Sequence, residues 1–302
     1  MSDPHGTDTV DLVAAMDDGS VYYVTAPAWE GPVRLWFKQS ESHQPVEVPY
    51  TDSRCTPFSP ISISAIGEQA IGLVLDCGDG SAAFDAVMSQ GRFERLEARP
   101  VVPSANLAVW RPGADVAYFQ VLRRCEGLIR LTKGGAVAVL TGKPHGSYSW
   151  SEMSLEQSCG GPAVGTALAL DSAGDLLAFS EGISSSTRQV EFRDPGVDLV
   201  VVASASGSVR YVLDEVRALD GSGYLAGFAF VPGTSQLALS GTVEDHPGIW
   251  LIDVPSGNRR RILDGEFGAL SLSPEGRFLA AVCRHCDGGL TLLDLRSHGV
   301  VS

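Results

Sequence analysis

The stretch GFAFVPGTSQLALSGTVEDHPGIWLIDVPSGNRRRIL (Gly227–Leu263) is followed by GALSLSPEGRFLAAVCRHCDGGLTLLDL (Gly268–Leu295), and the two align hydrophobe for hydrophobe. Each contains a short apolar strand, a Pro/Gly turn, a second apolar strand, a loop and a third strand that ends in Asp. A Ser-Gly or Arg-Ser turn then follows. This repetition predicts a fold assembled from copies of one antiparallel β unit.

Four weaker copies of this unit precede the pair, so that six units fill the chain. Their strands are about four to eight residues long and are bounded by Gly, Pro, Asp and Ser, and no apolar stripe with the helical period persists. The pattern predicts an all-β fold, namely a six-bladed β-propeller of four-stranded antiparallel blades that forms a single domain over residues 1–302. The predicted blades cover approximately residues 10–50, 61–98, 106–142, 166–215, 227–264 and 268–302.

The last copy is one strand short, because only RSHGVVS follows its third strand. A strand edge without a partner exposes backbone hydrogen-bonding groups and invites association. We therefore expect either Gly299–Ser302 or the N-terminal residues Thr7–Val10 to complete the sixth blade.

The segments SLSPEGRFLAAV (Ser271–Val282) and GIWLIDVPSGNRRRIL (Gly248–Leu263) resemble the SPDG-turn and strand-Asp-Gly elements of the TolB-like and WD40-like propeller repeat family. The resemblance spans most of the chain, and six copies are closer to TolB than to the usual seven-bladed WD40 protein. It implies the propeller architecture but no single activity, because members of this family serve as protein-binding platforms, periplasmic scaffolds and accessory domains of peptidases.

The charge balance argues against nucleic acid as a partner. The chain has 36 acidic and 22 basic residues, so its field repels the phosphates on which nucleic-acid binding depends. We interpret the basic run Arg259–Arg261 as a solvated outer strand. No apolar run approaches the length of about 18 residues that spans a bilayer, and Met1–Thr9 does not resemble a signal peptide. The chain is therefore expected to be soluble and, by default, cytoplasmic.

The connections between the predicted strands differ in length at the two ends of the blades. Links between first and second strands, and between third and fourth, are tight turns, whereas the other links include TDSRCTPFSP (51–60), 143–165, 183–196 and TVEDHPG (242–248). Binding residues concentrate in long loops on a rigid scaffold; the alternative is that these loops only cover blade edges. The candidate binding residues on this long-loop face are Trp29, His145, Tyr148, Trp150, His246 and His285.

Two functions remain open. The first is a non-catalytic scaffold that binds a protein or peptide through loop aromatics such as Tyr148 and Trp150, because Tyr and Trp are enriched at binding hot spots. In that case, truncation of Trp150 is expected to weaken binding and leave stability nearly unchanged. The alternative is an enzyme with a site at the channel mouth on the same face, using loop histidines and carboxylates. The oligomeric state is not predicted.

Catalytic and metal-binding patterns are weak. The chain has no G-x-S-x-G motif, and the predicted inner strands offer no ring of carboxylates like that needed to hold calcium. The CRHC segment (283–286) contains one Cys-x-x-Cys pair, whereas structural zinc sites usually need a second pair. We therefore predict no metal and no cofactor, and we assign no catalytic residue.

All six cysteines fall in the second set of links, which join second to third strands or one blade to the next, whereas unpaired structural cysteines would be scattered through core strands. This placement predicts disulfides, which would make the protein extracytoplasmic instead of cytoplasmic. The pairs favoured by blade proximity are Cys55 with Cys77, Cys125 with Cys159, and Cys283 with Cys286. Free thiols in the cytoplasm are the alternative.

Overall fold

The computed structural model describes residues 8–27, 33–39, 44–50, 55, 59–77, 80–102, 105–111, 114–121, 127–142, 148–152, 164–181, 197–216, 227–283, 289–297 and 299. Within these residues the chain forms 24 strands and no helix. The strands make six antiparallel sheets in which each strand pairs with the next along the chain. The prediction of an all-β, six-bladed β-propeller is confirmed.

The six sheets follow one another in chain order. Sheet 1 contains β1 (Asp8–Ala15), β2 (Val21–Pro27), β3 (Arg34–Lys38) and β4 (Val46–Glu47), and sheet 2 contains β5 (Pro60–Gly67), β6 (Ala70–Asp76), β7 (Ser81–Ser89) and β8 (Arg92–Arg99). Sheet 3 contains β9 (Ala105–Trp110), β10 (Val116–Val121), β11 (Gly127–Thr132), β12 (Val137–Gly142) and β13 (Tyr148–Glu152), and sheet 4 contains β14 (Val164–Leu170), β15 (Leu176–Glu181), β16 (Val197–Ala203) and β17 (Val209–Val216). Sheet 5 contains β18 (Phe228–Phe230), β19 (Gln236–Val243), β20 (His246–Asp253) and β21 (Arg259–Asp264), and sheet 6 contains β22 (Phe267–Leu272), β23 (Phe278–Cys283) and β24 (Leu290–Asp294).

Two sheets depart from the four-stranded pattern. Sheet 3 gains a fifth strand, β13, and sheet 6 has three strands among the described residues. Of the segments expected to complete sheet 6, residues 8–10 belong instead to β1, where Val10 pairs with Thr25, and residues 300–302 lie outside the described residues. The N-terminal expectation is therefore wrong for residues 8–10, because Asp8, Thr9 and Val10 pair with β2.

The chain divides into two compact units, residues 1–106 with 269–302 and residues 107–268. In the first unit, β1 and the residue after it supply alternate side chains to two cores. Ala14 and Met16 pack in one cluster with Ile71 of sheet 2, whereas Val13 and Ala15 pack in another with Ala280 of sheet 6. Successive strand residues point to opposite faces, so a strand that is apolar at consecutive positions joins one core on each side.

The second unit repeats this arrangement in β15. Leu177 and Phe179 pack in a cluster with Tyr118 of sheet 3, and the intervening Ala178 packs in a cluster with Leu239 of sheet 5. All five of these side chains are buried. Sheet 4 therefore holds its neighbours on both sides through residues that follow one another along a single strand.

Glycine turns bring neighbouring sheets into close contact. Gly91, at φ 76° between β7 and β8, lies so near Phe37 of sheet 1 that an added Cβ would be 2.9 Å from the ring atom Cδ1. The Tyr22 hydroxyl is hydrogen-bonded to the backbone of the same glycine. In the second unit, Gly257 has φ 71°, and its Cβ would lie 3.3 Å from the Tyr211 ring of the preceding sheet. Both the left-handed backbone and the close approach require glycine.

We predict that Gly91→Ala lowers the free energy of unfolding by about 3 kcal/mol, because it combines left-handed strain with a clash against a buried ring. Gly135→Ala is the matched control, since Gly135 has φ 84° but no atom within 4 Å of an added Cβ. The control should lose only about 1 kcal/mol. Urea unfolding of both variants measures the difference, and equal losses would show that the contact with Phe37 is not tight.

Burial of Tyr22 raises its pKa to about 12, from an ordinary value of 10.0. A phenol whose pKa is higher in the folded state stabilises the fold fully below pH 10, and that contribution is lost as the pH rises from 10 towards 12. We predict that the urea midpoint of the wild type falls across this window more steeply than that of Tyr22→Phe, which cannot ionise. Parallel pH profiles for the two proteins would contradict the prediction.

Candidate functional site

The six predicted binding residues divide into two groups. Tyr148, Trp150 and His246 are described by the structure. Trp29, His145 and His285 lie outside the described residues, so their part in binding stays a prediction. The described three are not on long loops: all of them lie on strands, and each has its own set of neighbours.

Tyr148 and Trp150 lie on β13, which pairs antiparallel with β12 and places Trp150 opposite Leu140. The alternating pattern of YSWSE suits an outer strand, because its side chains point in turn to the two faces of the sheet. The expectation that this segment is a recognition loop is therefore wrong about its local structure. The roles of Tyr148 and Trp150 follow from the residues that each of them contacts.

Tyr148 is buried between sheets 3 and 4. Its hydroxyl donates a hydrogen bond to Oε2 of Glu181 over 2.8 Å, and its ring meets the Phe179 ring edge-on, with the ring centroids 5.8 Å apart. Glu181 ends β15 and is 3% exposed. A buried carboxylate needs hydrogen-bond donors, and the Tyr148 hydroxyl provides one of them.

Trp150 is half-buried and contacts the turn that follows β16. Its Nε1–H donates a hydrogen bond to the carbonyl of Ser204 over 2.7 Å, and its ring centroid lies 5.7 Å from that of Tyr118. The Arg130 guanidinium lies 5.1 Å from the same ring and donates through Nη1 to the carbonyl of Ala205. The Trp150 indole thus connects three strands of sheet 3 to a turn of sheet 4.

The turn itself is shaped to fit this contact. Gly207 has φ 79°, and its Cβ would lie 3.1 Å from the backbone of Tyr148. The Tyr118 hydroxyl is directed at the Ser204 carbonyl, and burial raises the pKa of this phenol. Tyr148 and Trp150, two of the residues predicted to meet a partner, therefore pack between two sheets. We name the group that they form with their neighbours the aromatic clasp: Tyr118, Arg130, Tyr148, Trp150 and Glu181.

His246 begins β20 and pairs with Val243, so that only Glu244 and Asp245 form the turn between β19 and β20. The expected long loop TVEDHPG is therefore wrong. Both turn residues have positive φ, 52° and 61°, as a two-residue hairpin of mirror-image geometry requires. Asparagine or glycine usually occupies such positions, which is why this sequence did not indicate a tight turn.

The His246 side chain is exposed at this hairpin tip. Among the described residues no hydrogen bond or ion pair involves its imidazole, and it is the only histidine that they include. Glu244 instead pairs with Arg259, with 3.1 Å between the carboxylate oxygen and the guanidinium nitrogen. The described residues thus supply no histidine–carboxylate pair of the kind that general acid-base catalysis requires.

Glu181 is the residue that the sequence did not point to. It follows the apolar run LLAFS at the border of the segment 182–196, where acidic residues normally reach solvent. Its burial becomes visible only when β13 is placed beside β15. No signal in the sequence distinguishes it from the other acidic residues at strand ends.

The cysteines agree with the disulfide prediction where the structure describes them. Cys55 and Cys77 form a disulfide, with their Cα atoms 4.7 Å apart. Cys283 is also disulfide-bonded, to a partner outside the described residues. The pairing of Cys55 with Cys77 is confirmed, whereas the other two predicted pairs involve Cys125, Cys159 and Cys286, which are not described.

Within the described parts of the chain, no group of three or more His, Cys, Asp or Glu side chains is arranged to hold a metal ion. Those parts also contain no helix that is long and apolar enough to cross a membrane. The two outer arginines of the run Arg259–Arg261 pair with Glu244 and Asp264. This part of the outer strand is a solvated, charge-paired edge.

No protein-family model matches the chain, and no curated protein matches it. Solved structures do match it in fold. A chain of the mitotic checkpoint complex matches with 13% identity, 94% of this chain and 89% of that chain covered, and a TM-score of 0.54. Kuenenia stuttgartiensis hydrazine synthase matches with 11% identity, 95% of this chain and 96% of that chain covered, and a TM-score of 0.54. TolB from Acinetobacter baumannii matches with 12% identity, 96% of this chain and 77% of that chain covered, and a TM-score of 0.53.

At these identities the similarity concerns the fold alone. The chain is thus a β-propeller protein with TolB and WD40-type propellers among its structural neighbours. The proteins that share this architecture differ in activity, so their functions do not transfer to this chain without support from its own residues.

We predict that Trp150→Ala lowers the free energy of unfolding by about 2–4 kcal/mol, because it removes the indole from the aromatic clasp. Trp150→Phe is the matched control: it keeps a ring against Tyr118 and loses mainly the hydrogen bond to Ser204, at a cost of about 1 kcal/mol. Urea unfolding monitored by circular dichroism measures both. A Trp150→Ala variant as stable as the wild type would contradict the prediction.

Proposed function

We propose that this protein is a non-catalytic β-propeller scaffold that binds a protein or peptide partner at the long-loop end of its blades. The observation that carries the proposal is the contrast between the two ends of the blades in the second unit. One end has tight turns, and the other has the connections 182–196 and 217–226 together with the two-residue turn between β19 and β20. Long connections on a rigid framework are where binding residues are usually found.

The turns at the opposite end are bonded to one another. Arg111 donates through Nη1 to the carbonyl of Ala173 in the next sheet. In turn, the backbone N–H of Gly233 donates to Oγ of Ser172 over 3.0 Å. These polar groups satisfy neighbouring turns and are not available to recognise a partner. This supports placing recognition at the long-loop end.

The charge of the chain supports a particular kind of partner. Its formal net charge is −14, and an acidic surface attracts basic protein surfaces and repels phosphate backbones. We therefore propose a protein or peptide partner with a basic face. An excess of acidic groups also makes the association dependent on ionic strength.

The disulfides support a location outside the cytoplasm. Cys55–Cys77 is bonded, and Cys283 is also in a disulfide. Disulfides persist in oxidising compartments and are rare in a reducing cytosol. We therefore propose that the protein works in an extracytoplasmic environment, in place of the cytoplasmic default.

The test of the scaffold is capture of the partner from the source cells on immobilised protein, followed by calorimetry with the purified partner. We predict that a variant with residues 184–194 replaced by a short Gly-Ser linker binds at least about tenfold more weakly, a loss of about 1.4 kcal/mol. Lys133→Ala is the control: Lys133 is exposed in a turn at the opposite end, near Asp115, and its loss should leave binding unchanged.

Binding should also weaken between about 0.1 M and 0.5 M salt, because the Debye length shortens over this range. Equal affinity of the linker variant and the wild type would place the partner elsewhere on the molecule. A captured small molecule that the protein converts chemically would overturn the scaffold in favour of the enzymatic alternative.

A further inference from the structure

The third strand of sheet 6, β24, is more exposed than its counterparts. In each of the other five sheets, the third strand has at least four buried residues and pairs with a fourth strand. None of the five residues of β24 is buried, and no strand among the described residues pairs with its outer edge. Sheet 6 therefore has an open edge at the position where every other sheet has a further strand.

Hydrogen bonds at the two ends of β24 show how its backbone is oriented. The Leu295 N–H donates to the carbonyl of Arg277 over 2.8 Å, and the Cys283 N–H donates to that of Gly289 over 3.0 Å. Directly opposed residues of antiparallel strands alternate between bonded and non-bonded pairs. These two bonds therefore identify the bonded pairs between β23 and β24.

Three residues of β24 direct their backbone groups at the open edge. Counted inward from the two terminal bonds, Thr291 and Leu293 are in the bonded pairs with β23. Leu290, Leu292 and Asp294 are in the non-bonded pairs, so their N–H and C=O groups point away from β23.

The turn after β24 does not close over this edge. In sheet 5, the N–H of Asp253 at the end of β20 donates to the carbonyl of Asn258 over 2.8 Å, next to the start of β21. Asp294 ends β24 in the same way, but its carbonyl accepts from Ser297, and its N–H has no corresponding bond among the described residues. The open groups are thus the N–H and C=O of the two leucines and the N–H of Asp294.

The open edge also lacks the features that protect other sheet edges. Charged side chains and short strands prevent an edge from pairing with another chain. The edge strand β8, RFERLEAR, is rich in charged residues, β21 begins with three arginines, and β4 has only two residues. In β24, LTLLD, the one charged residue is Asp294, and it is bonded to Arg277 over 2.9 Å.

We propose that β24 binds an extended peptide segment of a partner protein, which pairs antiparallel with it as the fourth strand of sheet 6. This surface is additional to the long-loop end and does not depend on it. Directly opposed residues of paired strands share a face. Leu290 and Leu292 pack in a cluster with Val10 and Ala269, so the residues of the segment opposite these two leucines are apolar.

The charges near the Asp294 end of β24 favour a basic residue in the segment. The turn between β22 and β23 is joined there to the first turn of sheet 1, because the Glu275 N–H donates to Oδ1 of Asp17 over 2.8 Å. The charged residues of these turns and of the end of β24 are Asp17, Asp18, Glu275, Arg277, Asp294 and Arg296. Acidic groups are in excess and attract a basic side chain. An antiparallel segment starts at this end, so its order is basic-x-apolar-x-apolar.

The same geometry argues against a second copy of this chain as the occupant. Two β24 strands paired antiparallel about Leu292 would place each Asp294 opposite Leu290 of the other copy, and a carboxylate against an apolar side chain is unfavourable. The strand has only five residues, which span about 17 Å. That length suits a peptide segment better than a stable dimer interface.

The test uses the full chain and a fluorescein-labelled probe peptide, whose core is lysine, threonine, valine, threonine and valine in that order. Fluorescence anisotropy should show saturable binding at peptide concentrations up to about 1 mM. One control peptide has N-methyl groups on both valines, which removes the N–H groups that would bond to β24. A second has glutamate in place of lysine. We expect each control to bind at least about tenfold more weakly.

Two variants of the protein locate the site. Leu292→Pro removes an N–H that makes no bond within sheet 6, and proline is tolerated at such an edge position. Leu292→Ala is the matched control, because it removes the same side chain and keeps the N–H. Circular dichroism verifies that both variants are folded. We expect Leu292→Pro to bind the probe at least about tenfold more weakly than Leu292→Ala. If the proline variant does not fold, the N-methylated peptide and the wild type decide the question.

Absence of saturable binding to the wild type, or equal binding of the N-methylated peptide, would overturn the proposal. Equal affinities of the two folded Leu292 variants would also overturn it, because the probe would then bind elsewhere. Equal binding of the glutamate peptide would overturn the proposed chemistry of the segment.

Two further measurements test the other occupants of the edge. A dimer in sedimentation of the wild type that Leu292→Pro dissociates would overturn the proposal in favour of a second copy. Binding of the probe only after removal of residues 300–302 would overturn it in favour of the end of this chain. Neither result bears on the long-loop end, which the linker variant tests separately.

Discussion

Sheets that are apolar on both faces explain most of the other features of this protein. In the first unit, Ala14 and Met16 enter one core while Val13 and Ala15 enter another, and in β15 the same alternation joins sheets 3 and 5 to sheet 4. A single four-stranded sheet in water would expose both of these faces, at a cost of about 25 cal/mol for each Å² of apolar surface. Each sheet is therefore stable only between neighbours, and its turns must lie close enough for those neighbours to touch.

Because each sheet packs against neighbours on both faces, large aromatic and polar side chains form contacts between sheets. Close packing of sheets brings the turn 204–207 onto sheet 3, and Trp150, Tyr118 and Arg130 satisfy its carbonyl groups. Other tight turns of the second unit, at the same end of the blades, are bonded to one another for the same reason. The framework thus uses much of its aromatic and polar capacity internally.

Much of the fold could be predicted because blade patterning is local. Strand–turn–strand repeats and alternating apolar residues are visible within about forty residues, and they suffice to count six sheets. The Cys55–Cys77 pair could also be predicted, since adjacent blades place the two residues close together. The candidate site was harder to predict from the sequence than the fold. Trp150 and Tyr148 look like loop aromatics because nothing nearby in sequence pairs with them, and the turn Glu244–Asp245 lacks the asparagine or glycine that usually indicates mirror-image geometry.

The amino-acid sequence was sufficient for the all-β class, the number of blades, the acidic charge and the placement of cysteines, because each depends on composition or on short-range periodicity. The folded structure was needed to show that β13 is a fifth strand, that Glu181 is buried beside Tyr148, and that Trp150 bonds to a carbonyl 54 positions away. These outcomes depend on which sheet faces which turn. Side-chain partners across a sheet interface are set by packing between distant segments, and no local pattern encodes them.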